Sequence, residues 1–176
     1  MYNLNKEELK NLIKLKLAGV FGVKYDEAGE NLMYRALCLV AKDLLTQKRL
    51  EFKNKVYEQG AKQVYYMSME FLLGRSLRNH LYNMGLLDTA SGAVSELGYD
   101  INKLIEIEPD AGLGNGGLGR LAAAYMDSLT SLGYAAGGFS IRYDYGIFKQ
   151  KIVDGWQMEM HDDWLQGGDV WINRRS

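Results

Sequence analysis

The stretch Glu108-Pro-Asp-Ala-Gly-Leu-Gly-Asn-Gly-Gly-Leu-Gly-Arg-Leu-Ala-Ala-Ala-Tyr-Met-Asp-Ser-Leu-Thr-Ser-Leu-Gly133 decides how the chain is read. Five of the eight residues from Gly112 to Gly119 are glycine, and Leu121 to Leu132 then form a run without Gly or Pro that reads as a helix. A glycine-dense loop feeding a helix N-terminus offers unpaired backbone N–H groups and the positive end of a helix dipole. With no Cβ in the way, an anion can approach that backbone closely. The plainer alternative is a tight turn, which one glycine would satisfy. Five suit a ligand-binding loop better.

Working outward, the chain before the loop reads as mainly helical. Asn5 and Glu8 have the spacing of a capping box, with Leu9, Leu12, Ile13 and Leu17 on one face and Gly19 and Gly22 as the stop. A longer helix is expected after Asp26, with Met33, Leu37, Val40, Leu44 and Leu45 as its buried stripe; it runs to about Tyr57, with Gly60 beyond. Gln63 to Met69 reads as a buried strand, and Phe71 to Met84 as a helix stopped by Gly85. Shorter helical pieces at Asp88–Leu97 and Asp100–Ile107 lead to Pro109, the only proline.

After the central helix, Tyr134 to Tyr143 reads as a strand interrupted by glycines. Phe148 to Val153 and Trp156 to Met160 form a hairpin about an Asp154-Gly155 turn. A final extended piece, Asp169 to Arg174, breaks off without a capping signal, so the chain is expected to stop within a fold. The class is α/β, with N-terminal helices followed by a sheet and a C-terminal β-hairpin.

At 176 residues the chain has the size of about one domain. A net charge of −1 and the lack of a dense Lys/Arg block argue against nucleic acid as a partner. No apolar run is long enough to span a bilayer and no signal peptide is evident, so no membrane partner is expected. Cys38, the only cysteine, lies in an apolar helical run, where a small core side chain is the expected role rather than a nucleophile. A lone cysteine permits no internal disulfide, in keeping with a reducing cytoplasm.

The loop contains G-x-G-x-x-G twice, at Gly112/Gly114/Gly117 and at Gly114/Gly116/Gly119. Asp144, about 25 residues past the second match, mimics the ribose-binding acid of a dinucleotide-binding Rossmann-type domain. Against this alternative, such a fingerprint needs an apolar strand running into the first glycine, whereas Ile-Glu-Ile-Glu-Pro-Asp-Ala111 is acidic and broken by proline. A P-loop is excluded because no Gly-Lys-Ser/Thr follows. A non-catalytic interaction module leaves the glycines unexplained.

Four segments together resemble the glycogen/α-glucan phosphorylase family, from glycogen to maltodextrin phosphorylases. They are Tyr65-Tyr-Met-Ser-Met-Glu-Phe-Leu-Leu-Gly-Arg-Ser-Leu77, Glu108 to Ala123, Ile141-Arg-Tyr-Asp-Tyr-Gly-Ile-Phe148, and Asp154-Gly-Trp-Gln157 with Asp163-Trp-Leu165. They occur in the family's order and spacing, and the likeness runs from about Asp26 to the C-terminus. The resemblance implies a cytoplasmic, homodimeric glycosyltransferase of two-domain, GT-B-like architecture. Its reaction is phosphorolysis of an α-1,4-glucan, with orthophosphate, to glucose 1-phosphate. It uses pyridoxal phosphate on a lysine of the second domain, a lysine whose motif this chain lacks. Residues 1–176 would be the N-terminal part of the first domain, inactive alone.

Carried over by position, Asn115, Gly116, Gly117 and Leu118 match the loop that contacts substrate phosphate and sugar through backbone groups. Glu70 matches an acidic residue lining the sugar pocket, the alternative being a surface carboxylate at a strand end. Arg120 is read either as a phosphate partner or as the partner of a carboxylate such as Asp110. Arg75 and Arg142 are read as structural, and His80 and His161 match no catalytic position. The Asp162-Asp163 pair is read as a helix start rather than an acid/base couple. Regulated, allosteric members carry a phosphorylatable segment ahead of the first helix, which here begins almost at Met1, so that control is expected to be missing. Tyr57 is kept where those members build an effector site, but Arg49 stands where an aromatic is expected, which speaks against nucleotide activation.

Overall fold

A computed structural model describes residues 4–173. In chain order the elements are α1 (Lys6–Lys16), a π-type turn (Leu17–Phe21), α2 (Glu30–Glu58), β1 (Val64–Met67), α3 (Leu77–Asn83), α4 (Leu87–Glu96) and α5 (Ile101–Ile107). There follow α6 (Gly117–Ser131), β2 (Ala136–Phe139), β3 (Gly146–Val153), β4 (Trp156–Asp162), α7 (Leu165–Gly168) and a 3-10 turn (Asp169–Trp171). Helices and two small sheets mix in a way compatible with an α/β class. The chain divides into two compact units, one of Met1–Lys48, Arg75–Pro109 and Asp169–Ser176, the other of Arg49–Gly74 and Asp110–Gly168. Among the described residues no helix is long and apolar enough to cross a membrane.

The first unit holds the main hydrophobic core. Asn5 caps α1 as its spacing predicts: its Oδ1 accepts the Glu8 N–H at 2.9 Å, and Glu8 Oε2 accepts the Asn5 N–H at 2.9 Å. Loss of this reciprocal pair in Asn5→Ala should cost about 1 kcal/mol, read as a lower urea midpoint. The helix runs through Gly19 as a π-type turn and ends only at Gly22, whose φ of 68° a side chain would resist. Leu9, Ile13 and Leu17 share one buried cluster with Met33, Leu37, Cys38 and Val40 of α2 and with Leu77, Leu81, Ala93, Val94 and Leu104. α2 starts at Glu30 rather than just after Asp26, because a turn closed by the Glu27 N–H and the Lys24 carbonyl comes first. Cys38 is fully buried and burial pushes its thiol well up, as befits a small core side chain.

The expected helix from Phe71 to Met84 is only its second half, Leu77–Asn83. The earlier residues cannot be helical because the Phe71 and Leu72 N–H groups are taken by Leu113 and Gly119 carbonyls, and Gly74 has a φ of 73°. Glu108 sets where α3 begins. Its carboxylate accepts the Ser76 N–H at 3.0 Å, the Leu77 N–H at 2.8 Å and the Trp171 indole N–H at 2.7 Å. At 2% exposure it is the one buried charged side chain among the described residues. His80 packs edge-on to Trp171, ring centroids 4.9 Å apart, and burial lowers its pKa. The expected extended piece from Asp169 is instead one 3-10 turn with Val170 buried. Trp171–Glu108, Arg35–Asp169 (3.0 Å) and Lys42–Ile172 carbonyl (2.9 Å) contacts curl it onto the helices, and Arg174 lies outside the described residues.

In the second unit β1 pairs in parallel with β2, Val64 opposite Ala136 through Met67 opposite Phe139. The strand read from Gln63 to Met69 is short and exposed rather than buried: Tyr65 is 62% and Met67 82% exposed. In a two-stranded sheet alternate side chains face opposite sides, and only Tyr66 turns toward Phe71 and Tyr125. Gly138 lies under the Phe71 ring, where a Cβ would stand 3.0 Å from Cζ. β3 and β4 form the expected antiparallel hairpin, with Val153 opposite Trp156. Asp154 and Gly155 take φ of 51° and 80°, the positive pair of a type I′ turn.

Candidate functional site

The glycine loop is entered from a helix: α5 ends at Ile107, and Glu108 and Pro109 precede the first glycine. Among the described residues no strand runs into Gly112, and Asp144 pairs with Arg142 at 2.8 Å. The strand–loop–helix context of a dinucleotide fingerprint is therefore not met.

None of the five loop glycines has a positive φ, so turn geometry does not explain them. They separate by what a Cβ would meet. At Gly112 it would stand 2.3 Å from Cδ1 of Trp164, whose indole N–H is fixed on the Tyr143 carbonyl at 3.1 Å. At Gly114 it would stand 2.8 Å from the Leu72 nitrogen, and at Gly119 3.0 Å from the same atom and 3.2 Å from Glu70 Cβ. Gly114 and Gly119 let the loop lie against residues 70–72, and Gly112 makes room for the Trp164 ring. Phe71 N–H to the Leu113 carbonyl (2.9 Å) and Leu72 N–H to the Gly119 carbonyl (3.0 Å) lace the two segments together. Gly114→Ala should accordingly cost about 1–3 kcal/mol, since backbone rather than a flexible side chain must yield. Gly116→Ala should cost less, about 1 kcal/mol at most, because only its preference as an N-cap is lost, and a thermal scan of the two variants side by side checks both.

Gly116 and Gly117 have nothing within 4 Å of their Cβ positions. The helix read as starting at Leu121 starts at Gly117, with Gly116 as its N-cap at φ −152° and no side chain capping it. Among the described residues the N–H groups of Gly116, Gly117 and Leu118 have no acceptor. Leu118 is 56% exposed. The open end of a 15-residue helix thus presents orphan donors, helix dipole behind them, where two glycines leave the approach clear.

Glu70 sits at this same end. Its Oε2 accepts the Asn115 N–H at 3.1 Å, and the Ser68 hydroxyl donates to its carbonyl at 2.8 Å, so the half-buried carboxylate is held beside the loop. Arg120 lies within the first turn of α6, its N–H on the Gly116 carbonyl at 3.0 Å. Its guanidinium is exposed and, among the described residues, makes no ion pair, with Asp110 or any other carboxylate. Arg75 and Arg142 are held in ion pairs with Glu106 and Asp144. His161 packs near the Tyr145 ring at 5.7 Å, Asp162 ends β4, and Asp163 lies between it and α7. Missed in the sequence were Phe71, Leu72 and Trp164 as the loop's packing partners. The only signal was the coincidence of bulky residues with glycines elsewhere in the chain.

The sequence model of the carbohydrate phosphorylase family matches residues 94–176. Human liver glycogen phosphorylase is 51% identical over 142 residues, which is 81% of this chain and 17% of that protein. The bovine brain form is 49% identical over the same shares, and glycogen phosphorylase of Chlamydia pneumoniae 50% identical over 79% of this chain and 17% of its own length. The chain thus spans about a sixth of the length of the relatives it matches. About half of the aligned positions are identical in each of these mammalian and bacterial proteins, and the glycine loop lies inside the matched family region: the chain belongs to the carbohydrate phosphorylase family.

Proposed function

We propose that this chain serves an α-1,4-glucan phosphorylase, as the N-terminal part of the first of two GT-B-like domains in a cytoplasmic homodimer. The observation that carries the reading is the pair Gly116 and Gly117, which no packing and no backbone angle requires. In the reaction the bond from C1 of the terminal glucose to the oxygen of the next sugar breaks. A bond from C1 to a phosphate oxygen forms, and the departing glucan oxygen ends with the proton that the hydrogen phosphate gives up. The phosphate dianion is received by the Gly116, Gly117 and Leu118 amides, donors already in place at a dipole end, and Arg120 adds an uncompensated charge nearby. Glu70 would repel phosphate. It serves the sugar, accepting a hydroxyl with the carboxylate oxygen that Asn115 leaves free.

The family uses pyridoxal phosphate in general, and a Schiff-base lysine works when desolvated. Among the described residues no lysine is buried; those half-buried are committed, as Lys10 is to Glu7 and Glu96 and Lys42 to the Ile172 carbonyl. This chain does not fit the cofactor's attachment, and its part in the reaction is to hold substrate. The 176-residue chain is therefore expected to give no imine absorbance with pyridoxal phosphate and no glucose 1-phosphate from glycogen and orthophosphate. Saturable turnover by the chain alone would overturn this division of labour.

A further inference from the structure

A cleft of about 570 Å³ in the first unit takes no part in the reaction proposed above. Its apolar lining comes from Leu87 at the start of α4 and from Ile105 of α5, itself only 5% exposed. One wall is a single face of α3: Arg78 and Tyr82 stand four residues apart, with Asn79 beside them. Tyr82 is 71% exposed. Arg75 and Glu106 also line the cleft, and Arg75 Nη1 lies 2.6 Å from Glu106 Oε2, so those two charges cancel. Arg78 is exposed and, among the described residues, no carboxylate comes within ion-pairing distance of it. Asn83 Nδ2 donates to Asn79 Oδ1 at 3.0 Å, which leaves the Asn79 amide hydrogens to point elsewhere as donors.

The cleft therefore combines one uncompensated guanidinium, spare amide donors, an aromatic face and an apolar lining, in the size range of small-molecule sites. We propose that it binds a small aromatic monocarboxylate. The carboxylate pairs with Arg78 in the two-point geometry that guanidinium favours, and the ring lies on Tyr82 over Leu87 and Ile105. A single negative charge balances the cleft. A phosphate dianion would leave a charge facing Glu106.

The test is an amide NMR titration of the 176-residue chain with benzoate, against acetate, benzyl alcohol and inorganic phosphate. Benzoate should shift Arg78, Asn79, Tyr82, Leu87 and Ile105 together, saturating at about 1–10 mM. Acetate lacks the ring and benzyl alcohol the charge, so each should bind about tenfold more weakly or worse. Arg78→Gln should abolish the effect while its spectrum stays folded, and Arg142→Gln, at an ion pair of the second unit, should titrate as wild type. Shifts that fail to saturate or do not centre on these residues would overturn the proposal. So would acetate or phosphate matching benzoate, or Arg78→Gln binding like wild type.

Discussion

Replacing Glu108 with alanine should cost about 3–5 kcal/mol of stability in the first unit. The carboxylate accepts three N–H groups, at 3.0, 2.8 and 2.7 Å, in a place water does not reach. Each hydrogen bond to a charged acceptor is worth about 1.5–3 kcal/mol, and the three are not additive because they share one group. Removing it leaves the α3 N-terminus and the Trp171 indole desolvated and unpaired, which costs more than the lost attraction. A loss of that size is a large part of the roughly 5–15 kcal/mol that holds a domain together. Glu108→Gln should lose about half as much, since one carbonyl oxygen survives while its amide group presents donors to donors. Urea unfolding followed by tryptophan fluorescence measures both. The Trp171 indole proton should also move upfield in the NMR spectrum as its acceptor goes. A cost below about 1 kcal/mol for the alanine variant would mean the buried carboxylate contributes little beyond ordinary surface pairing.

The helices were legible because their signals are local. Asn5 with Glu8, the apolar spacing of α2, and Asp100 at the head of α5 depend on neighbours two to four residues away, and each helix forms, α2 with a later start than read. The Asp154-Gly155 hairpin was legible for the same reason. What failed depended on contacts distant in sequence. The Phe71–Met84 periodicity is genuine, yet backbone bonds to a loop some 40 residues on override its first half. The terminal Asp169–Trp171 segment has β-branched and aromatic residues that favour a strand, but Glu108, 63 residues earlier, offers Trp171 a better partner. In the candidate site the glycine count was plain, and its division into three packing glycines and two open ones was not. That division is set by Trp164 and Leu72, which no spacing rule joins to the loop. Gly117 itself takes helical backbone as the first residue of α6, ahead of the Leu121 start that the spacing predicts.

Since Gly117 is neither strained nor crowded, alanine there should leave the fold intact and even gain a few tenths of a kcal/mol in helix propensity. The added Cβ enters only the space in front of the orphan amides. If the chain serves the phosphorolysis proposed above, Gly117→Ala in the full-length protein should therefore lower kcat/KM for orthophosphate by about a hundred- to a thousandfold, equivalent to losing one well-placed donor at about 2.7–4 kcal/mol. Gly114→Ala, by contrast, should lose melting temperature along with activity. Steady-state kinetics at varied phosphate, with a thermal melt of the same preparation, is the most direct measurement. A Gly117→Ala enzyme that melts as wild type and is crippled toward phosphate is the predicted result. One that melts as wild type and keeps its dependence on phosphate unchanged would contradict a phosphate site at this helix end.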